Sequence, residues 1–222
     1  MFAPSPSEGV FRQGEVVSNL IQVHLRADSL AADAGEVTLE EKVHPYALIL
    51  TQDCDLDWDF KARATVRSEA EPDEKEKARE NRRQAKLVPN VLLCELATVP
   101  DLRPLLAGGD ILKRVRGNLD ERYYFLPAIS PTDDRVGEGL AELVADFKRV
   151  FSIPTDELYF RLASGLLRRS VLQAPHLQHM SSRFGYYCLR VALPEHEPAQ
   201  APTGPSKPTA LPAAAEGGAP AA

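Results

Sequence analysis

The residues with the greatest capacity for chemistry lie in one short stretch, Tyr46-Ala-Leu-Ile-Leu-Thr-Gln-Asp-Cys-Asp-Leu-Asp-Trp-Asp-Phe60. An apolar run there breaks into four alternating carboxylates, Asp53, Asp55, Asp57 and Asp59, around the thiol of Cys54 and the only tryptophan, Trp58. Thr51, Asp53 and Asp55 fall where the apolar run ends, at the rim of whatever strand it forms. In an extended chain Asp53 and Asp55 point to one side. Such a pair can hold a hard divalent cation through oxygen. It can also share a proton, so that one carboxylate serves as a base. The same residues equally suit an Asx-type turn whose carboxylates accept backbone N–H groups. An EF-hand loop is excluded, because the glycine and the closing glutamate are missing. Acidic neighbours disfavour a Cys54 thiolate, so Cys54 and Cys94 are both read as small core residues.

Two further constellations carry weaker signals. His176-x-x-His179 can place two imidazoles on one helix face, either as part of a zinc site or as ordinary surface histidines. Lys113, Arg114 and Arg116 lie close in sequence to Tyr123 and Tyr124. Together they suit a small single-strand platform, with phosphates on the cations and a base on the Tyr123 ring. The alternative is solvated surface beside core aromatics. No strand leads into a Gly-rich turn and helix, which excludes a dinucleotide or P-loop site. No cofactor is therefore expected, with a divalent ion at Asp53 and Asp55 left open.

The elements that must position these groups follow from composition and periodicity. The 222 residues, 44% of them hydrophobic, suffice for one domain with a true core. A formal charge of −6 gives no global field for nucleic acid or anionic lipid. Residues 1–9 are Pro/Ser-rich and read as loose, residues 10–195 as one folded domain, and residues 196–222 as a disordered Ala/Pro-rich tail. Strands are expected at Phe11–Leu25, entered through Gly14, then at Val43–Thr51, Lys86–Leu96, Tyr123–Pro127 and Leu143–Pro154. Charged residues of both signs predict a solvated helix over Ser68–Lys86. Further helices are expected at Leu105–Val115, at about Asp156–Leu172 and at His176–Tyr187. Five short strands, a charged helical insertion and C-terminal helices point to a mainly β fold with α, a small curved barrel; a helix-flanked open sheet is the alternative. The N-terminus lacks a signal-peptide pattern and no run is long enough to span a membrane. Three scattered cysteines then suggest reduced thiols and a cytoplasmic setting.

The opening Phe11, Gly14-Glu-Val-Val17, followed by His44-Pro45 before the strand Ala47–Leu50 and by Thr51, resembles the start of the PemK/MazF-like toxins. Thr51-Gln-Asp-Cys-Asp-Leu56 with Phe184-x-x-Tyr187-x-x-Arg190-Val-x-Leu-Pro194 is similar to a set of uncharacterised bacterial proteins from mobile or defence-related contexts. The resemblance implies an SH3-like barrel that dimerises, and Thr51 at the polar position that helps the toxins cleave single-stranded RNA without a metal. His44 stands where the toxins carry an arginine before proline, and Asp53 and Asp55 would repel phosphate. Two functions are therefore carried forward. The first is a non-enzymatic accessory or interaction module of a defence or toxin–antitoxin-like system, with a protein partner or a homodimer. The second is a hydrolase, metal-independent or metal-assisted, above all an endoribonuclease on single-stranded RNA using Thr51, Asp53 and Asp55.

Overall fold

The computed structural model describes residues 1–27, 37–65, 74–105 and 109–190. Its centre is a seven-stranded antiparallel sheet: β1 Phe2–Pro4, β2 Glu15–Leu25, β3 Leu39–Ile49, β4 Asn90–Thr98, β5 Tyr123–Leu126, β6 Leu143–Pro154 and β7 Leu167–Leu172. The spatial order is β1-β7-β2-β3-β4-β6-β5, with β1 and β5 at the two edges. The sheet is open. The expected SH3-like barrel is thereby overturned, and the alternative of a helix-flanked sheet describes the chain.

Two strands escape the sequence reading. β1 lies in the segment read as loose, because its three residues carry too little pattern to stand out; Phe2 to Pro4 pair with Leu172 to Ser170. β7 lies inside the expected helix of 156–172, where Leu158, Leu162, Leu166 and Leu167 form a helical stripe on paper. Helix α5 covers only Thr155–Ala163, and Gly165 then takes φ +119°, a conformation that ends a helix. Leu167 begins the strand instead.

The remaining helices are α1 Asp53–Ala64, α2 Glu74–Gln84, α3 Val99–Leu102, α4 Gly109–Arg116 and α6 His176–Cys188. α2 lies within the expected charged helix, of which residues 68–73 fall outside the described residues. The 196–222 tail does so as well. One face of the sheet is closed by Leu177, Met180, Phe184 and Tyr187 of α6 over Leu48, Cys94, Leu126, Ala145 and Phe147. The opposite face has two covers. Leu56 of α1 and Leu158 of α5 pack with Val17, Ala47, Ile49, Leu93 and Ile153. Leu102 and Val115, from α3 and α4, pack with Tyr123, Phe125 and Val144.

The β2–β3 hairpin outruns its neighbours. β7 pairs with β2 only over Glu15–Ser18, and β4 pairs with β3 only over Tyr46–Ile49. The outer part, Asn19–Leu25 against Leu39–Pro45, is a two-stranded ribbon whose backbone, among the described residues, pairs only within its own ladder, while Gln22, Lys42 and His44 reach Ser152, Glu95 and Phe151 through their side chains. Its pleat is reset at the junction. Val17 and Leu20, three residues apart, join the same core cluster, which strict alternation forbids. Asn19 takes φ +60° there, a conformation asparagine tolerates, and Pro45, with no N–H to donate, stands on the other strand. Beyond the reset Leu20, Gln22 and His44 lie on the face covered by α1 and α5, and Ile21, Val23, Leu25, Leu39 and Val43 lie on the opposite face.

Candidate functional site

The acidic knot is the first turns of a helix. Gln52 stands at the N-cap of α1, so Asp53 and Asp55 lie in its first turn, where negative charge complements the partial positive charge of the helix end. Arg12 grips Asp53 with two bonds of 3.0 Å, and the Gln13 N–H adds a third at 2.8 Å. Asp53 therefore ties the segment before β2 to α1. That contact also raises the Arg12 pKa. Asp57 accepts from Lys61 at 2.6 Å, one turn on. Asp59 is buried and accepts from Arg63 at 2.7 Å and from the Val88 N–H at 2.8 Å. Thr51 Oγ1 accepts the Leu92 N–H at 2.7 Å and so secures the β3–β4 boundary. Three of the four carboxylates and the hydroxyl are thus engaged in holding the fold. Among the described residues, Asp55 meets only the Cys54 thiol, at 3.7 Å.

Cys54 is exposed, which corrects its reading as a core residue; Cys94 is buried. Burial, with Asp146 and Glu95 nearby, pushes the Cys94 thiol far above its ordinary range, and it donates to the Asp146 carbonyl at 3.1 Å. Among the described residues, no three histidine, cysteine, aspartate or glutamate side chains gather to hold a metal, so Asp53 and Asp55 find no third ligand. His179 is exposed and sets Nδ1 3.4 Å from the Tyr124 hydroxyl.

The basic platform also comes apart. Lys113, Arg114 and Arg116 share α4, but Arg116 pairs with Glu142 at 2.6 Å and Arg114 approaches Asp120 at 3.9 Å. Tyr123 is 6% exposed, with the Arg122 guanidinium 4.7 Å over its ring. The ring is therefore core and closed to a base.

A further polar cluster is one the sequence pattern does not show. Past the Tyr46–Leu96 pair, β3 and β4 splay and open a groove of about 310 Å³, lined in part by Lys42, His44, Glu95, Asp146 and Arg149. Glu95 accepts from Lys42 and from Arg149 (3.3 Å), and faces His44 Nδ1 at 3.3 Å. Asp146 accepts two bonds from Arg122, at 2.6 and 2.5 Å. The His44 ring stacks on Phe151 at 4.0 Å and meets Gln22 Oε1 at 3.0 Å. Burial, then the Lys42 charge, lowers the His44 pKa against an opposing pull from Glu95. Burial raises the Glu95 pKa, but the Lys42 hydrogen bond and charge, then Arg149, bring it below its ordinary value. Every charge in the cluster has an opposite neighbour, and His44 is only 2% exposed, so the imidazole cannot touch a substrate. These residues come from three strands, 42–44, 95 and 146–149, and no local spacing could have joined them.

On the other face of the outer ribbon, four aliphatic side chains stand exposed. Val23 is 40% exposed, Leu25 52%, Leu39 62% and Val43 58%. Glu40 and Glu41 are exposed and make no ion pair among the described residues.

Compared with protein-family models, with curated proteins and with solved structures, the chain matches none. The expected kinship with PemK/MazF-like toxins and with defence-related bacterial proteins is therefore corrected on two grounds: no family model supports it, and the sheet does not close.

Proposed function

We propose that the protein is a non-enzymatic interaction module that docks through the outer half of its β2–β3 ribbon. One observation carries this reading: four large aliphatic side chains are exposed together on a projecting element whose backbone edges have no partner among the described residues. Contiguous apolar surface of this kind marks binding sites more often than chance exposure. The engagement of Thr51, Asp53 and Tyr123 in structural contacts adds support and weakens the hydrolytic alternative, an endoribonuclease. Among the described residues no helix is long and apolar enough to cross a membrane. The three cysteines are unpaired, which suits a reducing cytoplasm.

The test is photo-crosslinking in cells. A photoreactive residue at Val23, Leu25 or Leu39 gives discrete protein adducts, whereas the same residue at Lys75 on α2 gives none. Absence of adducts at all three ribbon positions overturns the reading. Cleavage of a single-stranded RNA panel that survives full purification and is lost in Thr51→Val would favour the endoribonuclease instead.

A further inference from the structure

We infer that the occupant of the ribbon is a second copy of this chain, added antiparallel to the free edge of β2 about a two-fold axis at Gln22. This rests on the reading of the ribbon as an interaction surface and names what it binds.

The edge of β2 is divided. On the side of β2 away from β3, β7 takes Glu15–Ser18 and, among the described residues, nothing takes Asn19–Leu25. Seven residues of backbone, about 23 Å of extended chain, are left with half of their donors and acceptors unpaired.

The two free edges differ in chemistry. The β3 edge, Leu39-Glu-Glu-Lys-Val-His-Pro45, carries three charges and a proline, the devices by which proteins keep strand edges from pairing. The β2 edge, Asn19-Leu-Ile-Gln-Val-His-Leu25, has no Asp, Glu, Lys, Arg or Pro. Protection is applied to one edge of the ribbon and withheld from the other.

The free β2 edge is also self-complementary. A two-fold axis at Gln22 sets Ile21 opposite Val23 of the copy, twice, and sets Leu20 opposite His24 and Asn19 opposite Leu25. The apolar positions of one strand then fall on the apolar face of the other, with no like charges opposed. The same register carries the tip of each ribbon, with its exposed Leu25 and Leu39, to the base of the other. There β7 begins with Leu167, itself 37% exposed.

The register supplies its own test, read by sedimentation over a micromolar concentration series. The unaltered chain is a dimer. Ile21→Glu and Val23→Lys each weaken self-association by about tenfold or more, because each change acts at two symmetry-related pairs. Mixed in equal amounts, the two variants associate again, since the carboxylate introduced in one chain now faces the ammonium introduced in the other. Urea midpoints check that both variants are folded. If Ile21→Glu lowers the midpoint, Asn19→Asp with Leu25→Lys repeats the exchange at the next facing pair, both of whose positions are exposed.

A chain that stays monomeric throughout overturns the proposal, as does a dimer indifferent to both substitutions. Variants that weaken the dimer singly but fail to associate when mixed overturn this register. A monomeric chain whose ribbon still crosslinks to a different protein in cells overturns the second copy alone and leaves the interaction reading standing. Loss of both results removes both.

Discussion

The inner and outer halves of the β2–β3 hairpin belong to the same two strands and live under opposite rules. In the inner half, Glu15 is buried and accepts from Arg168 at 2.5 and 2.9 Å. Arg168 also donates to the carbonyls of Gly9 and Val10 and lies over the Phe11 ring. Next to it Arg169 grips Asp134 at 2.8 and 2.7 Å. In the outer half, aliphatic side chains stand in water and, among the described residues, both backbone edges lack a partner. Charge buried among partners is fixed in place, since removing either member strands the other. Apolar side chains left in water forgo the burial energy that fixes the inner half. The contrast teaches that dense charge in this chain marks contacts that hold the fold, and that its uncovered apolar surface lies elsewhere.

Arg168→Ala should break the comparison most severely. It leaves the Glu15 carboxylate buried without its partner, and unfolding stability should fall by about 3–5 kcal/mol in a urea titration. Val23→Lys, on the same strand, should stay within about 0.5 kcal/mol of the unaltered chain when both are titrated at a concentration low enough to be monomeric. Equal losses would mean that the ribbon is as integral to the fold as its base.

The acidic knot allows a finer version of the same contrast. Asp53→Ala removes a bidentate arginine and a backbone bond and should cost roughly 1–2 kcal/mol. Asp55→Ala loses only a favourable charge at a helix N-terminus, worth about 0.3–1 kcal/mol. A larger effect at Asp55 would reverse the assignment of these two carboxylates.

The smallest effect concerns pH. The folded state holds His44 neutral by burial and by the Lys42 charge, so its pKa lies below the ordinary 6.5. The unfolded chain then binds the proton more readily, and stability declines as pH falls below about 6.5. Glu95 and Asp134, both held below their ordinary values of 4.5 and 3.8, extend the decline into stronger acid. Burial opposes the Asp134 shift and is outweighed by Arg169 and by the Val136 and Gly139 N–H groups. Urea midpoints at pH 7.5 and 5.5 should converge in His44→Gln and differ in the unaltered chain. An unchanged difference in the variant would assign the effect to another group.

Much of the architecture was legible because it rests on local pattern. The core runs of β3, β4, β5 and β6 were found near their true places, and α6 begins at the expected His176. α1 was misread although its signal was present. Asp57 with Lys61, and Asp59 with Arg63, are acid-to-base pairs four apart, the spacing of a helix face. The alternation of the carboxylates masked that spacing by suggesting an extended rim. The groove cluster was illegible for a different reason. His44, Glu95 and Asp146 meet only through the order of strands in the sheet, which no local window contains. The free edge of β2 was hidden similarly, since edges exist only once the neighbours are known.

The reset of the pleat at Asn19 and Pro45 has a consequence for insertions and deletions. In an unbroken strand, inserting or deleting one residue inverts every side chain beyond it, and the error reaches the core. Here the alternation restarts at the junction, so the inner strands keep their phase whatever happens outside. A one-residue insertion or deletion near the ribbon's tip, beyond Gln22 and Lys42, would leave the phase of the inner strands, and of the buried Leu20 and His44, unchanged.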